Sequence, residues 1–378
     1  MLHPPLSPAS LSRLESLPIE ILEYIFLYSL EINLPRASPH LGRALSNPLL
    51  YTWLIRLVFS STNASSRHGF FTPDFLPPPL DFWSLGYEQR QHLQTTLLAC
   101  RWCTLPLLRR CQREYVEHAI RRKCANLVFS AEDQEALRNL GPLFNHLEHC
   151  DHAIYGHRGK GDLVLHARLS ENHTQSGNSD PDKLEHQSLQ SNQEKKRKSK
   201  SKSSVDHKLA IWFHFGAVQI RKQNEIYYET DLFRLPCPAA NSPGRIPDKI
   251  FRSPWSESQF EFLQLLATDF YLDESNVLMD RSAEITSRLI RKRQIEPFLR
   301  LLSMWFRSAD YRVLGPWPLH SSHFQLIKRY AGFHRDQSLE QEQVETDPFA
   351  AAIIHQRWVE IPVELQGDLL RLGRGDPM

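Results

Sequence analysis

Cys100-x-x-Cys103, Cys111 and Cys124, followed by His146, His149, Cys150 and His152, form the densest run of potential metal ligands in the chain. Thiolate and imidazole are what a tetrahedral zinc site requires, so the run raises the question of a metal centre. The spacing argues against one. There is a single CxxC with no second paired knuckle, and Cys111 shares the apolar face of a helix with Leu108, Tyr115 and Ala119, where a buried free thiol is ordinary. No metal is expected, and the same deficit excludes a RING domain, whose two zinc sites need several such pairs.

Other chemistry-bearing patterns are weaker. Gly156-His157-Arg158-Gly159-Lys160-Gly161-Asp162 lacks the GxxxxGK[ST] spacing and hydroxyl of a phosphate loop and reads as a surface turn. No HExxH, GxSxG or Rossmann GxGxxG occurs, and scattered His, Asp and Glu do not define a triad in sequence. Neither an enzyme nor a cofactor is expected. Lys195-Lys196-Arg197-Lys198, continued by alternating serines and lysines, is a candidate nuclear localisation signal that phosphorylation of the serines would neutralise; its alternative is a solubilising charged linker. The run has no interleaved aromatics for base stacking, so nucleic-acid readout is not expected.

The formal charge of +2, from 45 Lys plus Arg against 43 Asp plus Glu, is too balanced for wholesale binding to polyanions or an anionic membrane. No basic n-region followed by an apolar h-region opens the sequence, and no uncharged apolar run approaches the ~20 residues that span a bilayer. No membrane role is expected. With six cysteines, reduced thiols in a nuclear or cytoplasmic compartment are the expectation.

The elements that would position these groups are mainly helical. The 25 prolines against 15 glycines suggest rigid breaks between helices. The chain divides into a tail (1–15), a compact N-terminal module (16–60), a helical region (61–169), a disordered linker rich in Ser, Asn, Gln and Lys (170–206) and an α+β C-terminal domain (207–378). Helices are expected from Pro18, through short broken turns over Asn33–Ser46, from Asn47-Pro48 with Leu49, Leu50, Trp53, Leu54 and Leu57 on one face, and at about 87–103, 105–124, 131–140 and 142–150. LAIWFHF and AVQIRKQNEIYYE predict a small β-hairpin or sheet with a break at Gln223-Asn224. Ser256 with Gln259 forms a capping box, and Ile295, Phe298, Leu299, Leu302 and Phe306 mark an amphipathic helix.

The first helix, within SLPIEILEYIFLYSLE (16–31), stands apart. On a helical wheel its apolar arc is ~240°, against the ~100° stripe of an ordinary surface helix. One explanation is complete burial in its own domain. The other starts from a module of ~45 residues, near the lower limit for a self-sufficient core, so that one apolar side is left over for another surface, in this chain or in a partner.

Leu17-Pro18-x-Glu20-Ile21-Leu22-x-x-Ile25-Phe26, followed by Leu30, Leu34 and Ala37, resembles the start of an F-box, the three-helix module that docks on the Skp-type adaptor of cullin-RING ubiquitin ligases. The whole resembles the F-box-like proteins of filamentous fungi. The likeness covers residues 16–60; the family's Val-Cys-Arg-x-x-Trp end is replaced by Leu41-Gly42-Arg43-Ala44-Leu45-Ser46, with Trp53 arriving later. The resemblance implies that Leu17, Pro18, Ile21, Leu22, Ile25 and Phe26 contact the adaptor, and through it a cullin, while the rest of the chain recruits an unknown target protein. The alternative is a self-contained helical interaction or structural protein in which this segment is only the first layer of a larger core. A nuclear zinc-dependent nucleic-acid binder is the remaining, least supported reading.

Overall fold

A computed structural model describes residues 12–61, 63, 66–67, 69–144, 161–170, 206–223, 232–239, 244–273, 280–307, 314–331 and 346–374. The protein is mainly helical with a small antiparallel sheet. It forms two compact units, each assembled from separated stretches of chain: Met1–Phe59, Pro73–Arg109 and Cys237–Met378 in the first, Ser60–Thr72 and Arg110–Pro236 in the second. The units therefore do not follow the expected linear division at residues 61, 169 and 207.

In the first unit, α1 (Ile19–Ser29) begins after Pro18, whose extended backbone (φ −55°, ψ 148°) delivers the chain into the helix, and stops at Leu30, in the left-handed region at φ 52°. A single 3-10 turn (Leu34–Arg36) precedes α2 (Pro39–Ala44), whose first turn is capped by the Ser38 hydroxyl accepting from the Leu41 N–H. The broken helices expected here are present. Then α3 (Pro48–Phe59) starts at Asn47, whose Oδ1 accepts from Leu49 N–H at 3.0 Å. Its buried face is Leu50, Leu54, Ile55, Leu57, Val58 and Phe59, so the expected apolar face is corrected at two positions. Leu49 is exposed and Trp53 half-buried, because the core lies on the Leu50/Leu54/Leu57 side.

Further along, α4 (Tyr87–Ala99) and α5 (Leu105–Lys123) match the expected helices to within their last turns, and the first five residues of α5 belong to the first unit. The C-terminal part of this unit contains α8 (Glu257–Ala267), α9 (Asp280–Arg291), α10 (Ile295–Leu302), a hairpin of β6 (Trp305–Arg307) with β7 (Leu314–Pro316), α11 (Ser321–Ala331), α12 (Pro348–Arg357) and α13 (Val363–Arg374). The Ser256/Gln259 capping box opens α8. Phe306 is not part of the helix expected for it. It lies on β6 and packs edge-on against Trp317 with ring centroids 5.0 Å apart.

The second unit holds the rest of α5, β1 (Leu127–Phe129), α6 (Ala131–Arg138), α7 (Leu140–Leu143), β2 (Leu163–Leu169), β3 (Asp206–Trp212), β4 (Ala217–Lys222) and β5 (Phe233–Arg234). The five strands pair antiparallel in sequence order. Arg168 lies opposite Asp206, so the flanks of the expected linker are neighbouring strands of one sheet; residues 171–205 lie outside the described residues. The central run Leu209-Ala210-Ile211-Trp212 is buried on both faces, as its unbroken apolarity requires. Ala210, Trp212, Phe215, Ala217 and Leu232 cluster on one side.

Strands β3 and β4 are joined by a turn at Phe213–Gly216, and β4 ends at Lys222, just before the expected break at Gln223-Asn224, of which Asn224 lies outside the described residues. Gly216 adopts φ +56°, a conformation open to glycine, and Gln223 N–H still bonds to Asp206 O at 2.9 Å within the ladder. Ser61 ties this unit together: its N–H and Oγ bond to the Arg234 backbone at 2.9 Å each, its Oγ donates to Leu232 O at 3.1 Å, and the Tyr115 hydroxyl therefore donates to that Oγ at 2.9 Å.

Candidate docking surface

Helix α1 is apolar on two opposite faces. Leu22, Phe26 and Leu27 point into the first unit and are 0%, 1% and 6% exposed. On the other side, Leu17, Ile21, Tyr24 and Tyr28 are 36%, 47%, 54% and 76% exposed. Ile21, Tyr24 and Tyr28, spaced i, i+3 and i+7, follow one stripe of the helix, with Ile25 half-buried along its flank and Leu17 in the turn that precedes it. The Tyr24 and Tyr28 rings stack at a centroid distance of 6.5 Å and an interplanar angle of 12°. Exposed Pro18 and Ile19 begin the helix, and Leu49 is exposed at the start of α3.

Of the six residues expected to meet a partner, Leu17, Pro18 and Ile21 are exposed and Ile25 is half-buried. Leu22 and Phe26 are corrected: they form the hydrophobic core of their own unit and offer no surface. Tyr24 and Tyr28, which the motif did not single out, are exposed on the outer side of the helix. The signal was present in the sequence as the i, i+3, i+7 spacing of Ile21, Tyr24 and Tyr28.

The approach to the stripe is held by hydrogen bonds. Ser12 N–H donates to Glu15 Oε2 at 2.8 Å and Glu15 N–H to Ser12 Oγ at 3.3 Å. The Ser38 hydroxyl, assisted by the Ser12 N–H and hydroxyl, holds the Glu15 carboxyl down at about 2.

The remaining candidates take structural places. Cys100 and Cys103 are buried at the end of α4; burial pushes the Cys103 thiol up to about 12 and raises that of Cys100. Lys249 Nζ donates to both their carbonyl oxygens at 2.5 Å and closes the end of that helix. Cys111 is fully buried, and burial moves the Cys124 thiol to about 12. No group of three or more His, Cys, Asp or Glu side chains suited to a metal ion occurs among the described residues. His146, His149, Cys150, His152 and the basic run Lys195, Lys196, Arg197 and Lys198 lie outside them. At the end of the Gly156–Asp162 segment, a Cβ on Gly161 would come within 2.7 Å of the Ile211 backbone, and Asp162 Oδ2 accepts from Phe213 N–H at 2.8 Å. These two residues brace the sheet.

No helix among the described residues is long and apolar enough to cross a membrane. No protein-family model, curated protein or solved structure matches the chain.

Proposed function

We propose that the chain is a non-catalytic adaptor of the F-box type, which docks on a Skp-type adaptor of a cullin-RING ubiquitin ligase through the outer stripe of α1 and recruits a target protein with other surfaces. The observation that carries this reading is the pair of opposite apolar faces on one short helix: Leu22, Phe26 and Leu27 supply the core, and Leu17, Ile21, Tyr24 and Tyr28 are left on the surface. Large exposed apolar side chains on one helical stripe are a costly surface for an unbound protein and a suitable one for a partner. Burying each would stabilise a complex by about 1.5 to 3 kcal/mol before the cost of association. Affinity purification from the native cell tests the proposal: co-purification of a Skp-type adaptor and a cullin supports it, and their absence at physiological expression removes it.

A second reading is favoured by a separate observation. Phe59, at the end of α3, packs on Phe270 with ring centroids 6.0 Å apart, and buried Gln94 donates to Val58 O at 3.0 Å. The N-terminal helices are thus one layer of the larger first unit, as a self-contained helical interaction or structural protein would have it. In that reading the outer stripe of α1 serves a partner unrelated to ubiquitin transfer. Resistance of the chain to limited proteolysis around residues 60–80, together with no adaptor binding, would select it.

A further inference from the structure

Strands β2, β3 and β4 of the second unit pair in a register that sets Lys208 directly opposite His166 on one side and Arg221 on the other. Directly opposed residues share a face of the sheet, so the three basic side chains form one row, about 10 Å long at the ~4.8 Å spacing of strands. Val164, Ala210 and Gln219 form the next row on that face, where Ala210, Trp212 and Ala217 belong to the hydrophobic cluster and Val164 packs against it. On the far side of the basic row, Arg168 lies between exposed Val128 and Asp206, with its Nε 3.7 Å from Asp206 Oδ1. The row therefore runs along the rim of the core, with His166 exposed and Lys208 and Arg221 half-buried.

Such a row opposes folding. Like charges directly across neighbouring strands destabilise a sheet, and Lys208 faces a basic side chain on both of its neighbours. The acidic groups described at this end of the sheet are engaged with other partners. Asp206 pairs with Arg168, and Asp133 Oδ2 accepts from the His166 backbone N–H at 3.3 Å. Positive charge is thus concentrated at one place on a protein whose formal net charge is only +2, and an anionic partner is what would turn the opposition into attraction.

We propose that the His166–Lys208–Arg221 row is a docking surface for an acidic peptide segment of a partner protein. Side chains on alternate residues of an extended peptide stand about 7 Å apart, so two carboxylates fit along the row. Arg221 offers a fork suited to a carboxylate, Lys208 a point charge and His166 a ring N–H, while Val128, 53% exposed, gives an apolar contact at the edge. Nucleic acid is the competing polyanion. It is disfavoured because the residues bordering the exposed row, Val128, Arg168 and Asp206, include no Phe, Tyr or Trp on which a base could stack. The row belongs to the second unit and the stripe on α1 to the first, and neither surface requires the other.

The test is fluorescence anisotropy of a labelled oligoglutamate peptide titrated with the intact protein at low salt, with melting followed on the same samples. The wild type should bind saturably, and Lys208→Glu should weaken binding by about tenfold or more, since a like charge then meets the peptide. The same variant should melt no lower than the wild type, because an acidic side chain between Arg221 and His166 relieves the opposition of charges. Arg221→Glu should weaken binding likewise, whereas changing Lys195, Lys196, Arg197 and Lys198 together to Gln should leave most of it in place. Absence of saturable binding by the wild type, or equal binding by a folded Lys208→Glu protein, would overturn the proposal. So would binding that follows the 195–198 run alone, or a labelled oligouridylate that binds through Lys208 more tightly than the peptide. A binding loss matched in both Glu variants by a lower melting temperature would also count against it.

Discussion

Asn47 Nδ2 donates to Glu23 Oε1 at 2.9 Å, joining the start of α3 to the middle of α1 across 24 residues of sequence. The same side chain caps α3 through its Oδ1, so one residue both begins the third helix and fixes how the first lies against it. This tie helps decide which face of α1 turns inward. With Glu23 held at α3, Leu22, Phe26 and Leu27 go to the core, and Ile21, Tyr24 and Tyr28 are left outside.

Asn47→Ala removes a helix cap worth about 1 kcal/mol and a part-buried side-chain hydrogen bond of similar size. Chemical denaturation should show a loss of about 1 to 2 kcal/mol. Asn47→Asp, which keeps the capping oxygen but sets a second carboxylate against Glu23, should not restore the wild-type value.

Gly216→Ala should be among the more damaging single changes in the second unit. The backbone there has φ +56°, and an added Cβ would lie 2.5 Å from Leu235 O and 2.6 Å from Gln112 Cγ. Left-handed strain and overpacking together predict a loss of roughly 2 to 4 kcal/mol. A midpoint unchanged in denaturant would show that the hairpin turns elsewhere.

His323 gives the stability a defined pH dependence. Its Nδ1 accepts from His320 N–H at 2.8 Å and its Nε2 faces Ala283 O at 3.0 Å, so the folded protein needs the neutral ring with the proton on Nε2. Burial pushes its pKa below the usual 6.5, against the raising effect of the Ala283 carbonyl, and nearby His320 adds to the lowering. The unfolded chain therefore takes up a proton that the folded protein refuses, and stability falls as pH drops below 6.5 through the folded value. Denaturation measured over that range should show the decline, and His323→Gln should flatten it at the cost of some stability at neutral pH.

Much of this architecture was legible in the sequence, and the rest was hidden for physical reasons. Pro18 and Asn47 mark helix starts through local chemistry, and those two helices begin where expected, whereas the start of α2 behind the Ser38 cap lies in a stretch where Pro35, Pro39 and Gly42 read only as breaks. The two-sidedness of α1 could be read from its wheel, but not the choice of inner face, because both faces are similarly apolar and the decision belongs to α2 and α3. Strand β2 does carry a period-two signal: Leu165 and Ala167 are buried, while His166 and Arg168 are exposed. Its pairing with β3 spans the whole polar segment 171–205, so no local pattern announces the sheet order. The buried Gln94 side chain, whose Nε2 donates to the Cys237 carbonyl 143 residues away, was illegible for the same reason.

The proposal for α1 stands on the separation of its two faces, and paired variants make that separation measurable. Ile21→Asp and Tyr24→Asp alter exposed positions and should shift stability by less than about 0.5 kcal/mol, whereas Leu22→Ala should cost about 2 to 5 kcal/mol. Differential scanning of the variants separates a surface effect from loss of fold.

The most direct test is binding of the purified full-length protein to a purified Skp-type adaptor by calorimetry, wild type beside Ile21→Asp. The account predicts a saturable complex for the wild type and a loss of at least about 2 kcal/mol in binding free energy for a variant whose melting is unchanged, as expected when a central apolar contact is replaced by a charge. No binding by the wild type, or equal binding by a folded Ile21→Asp protein, would contradict it.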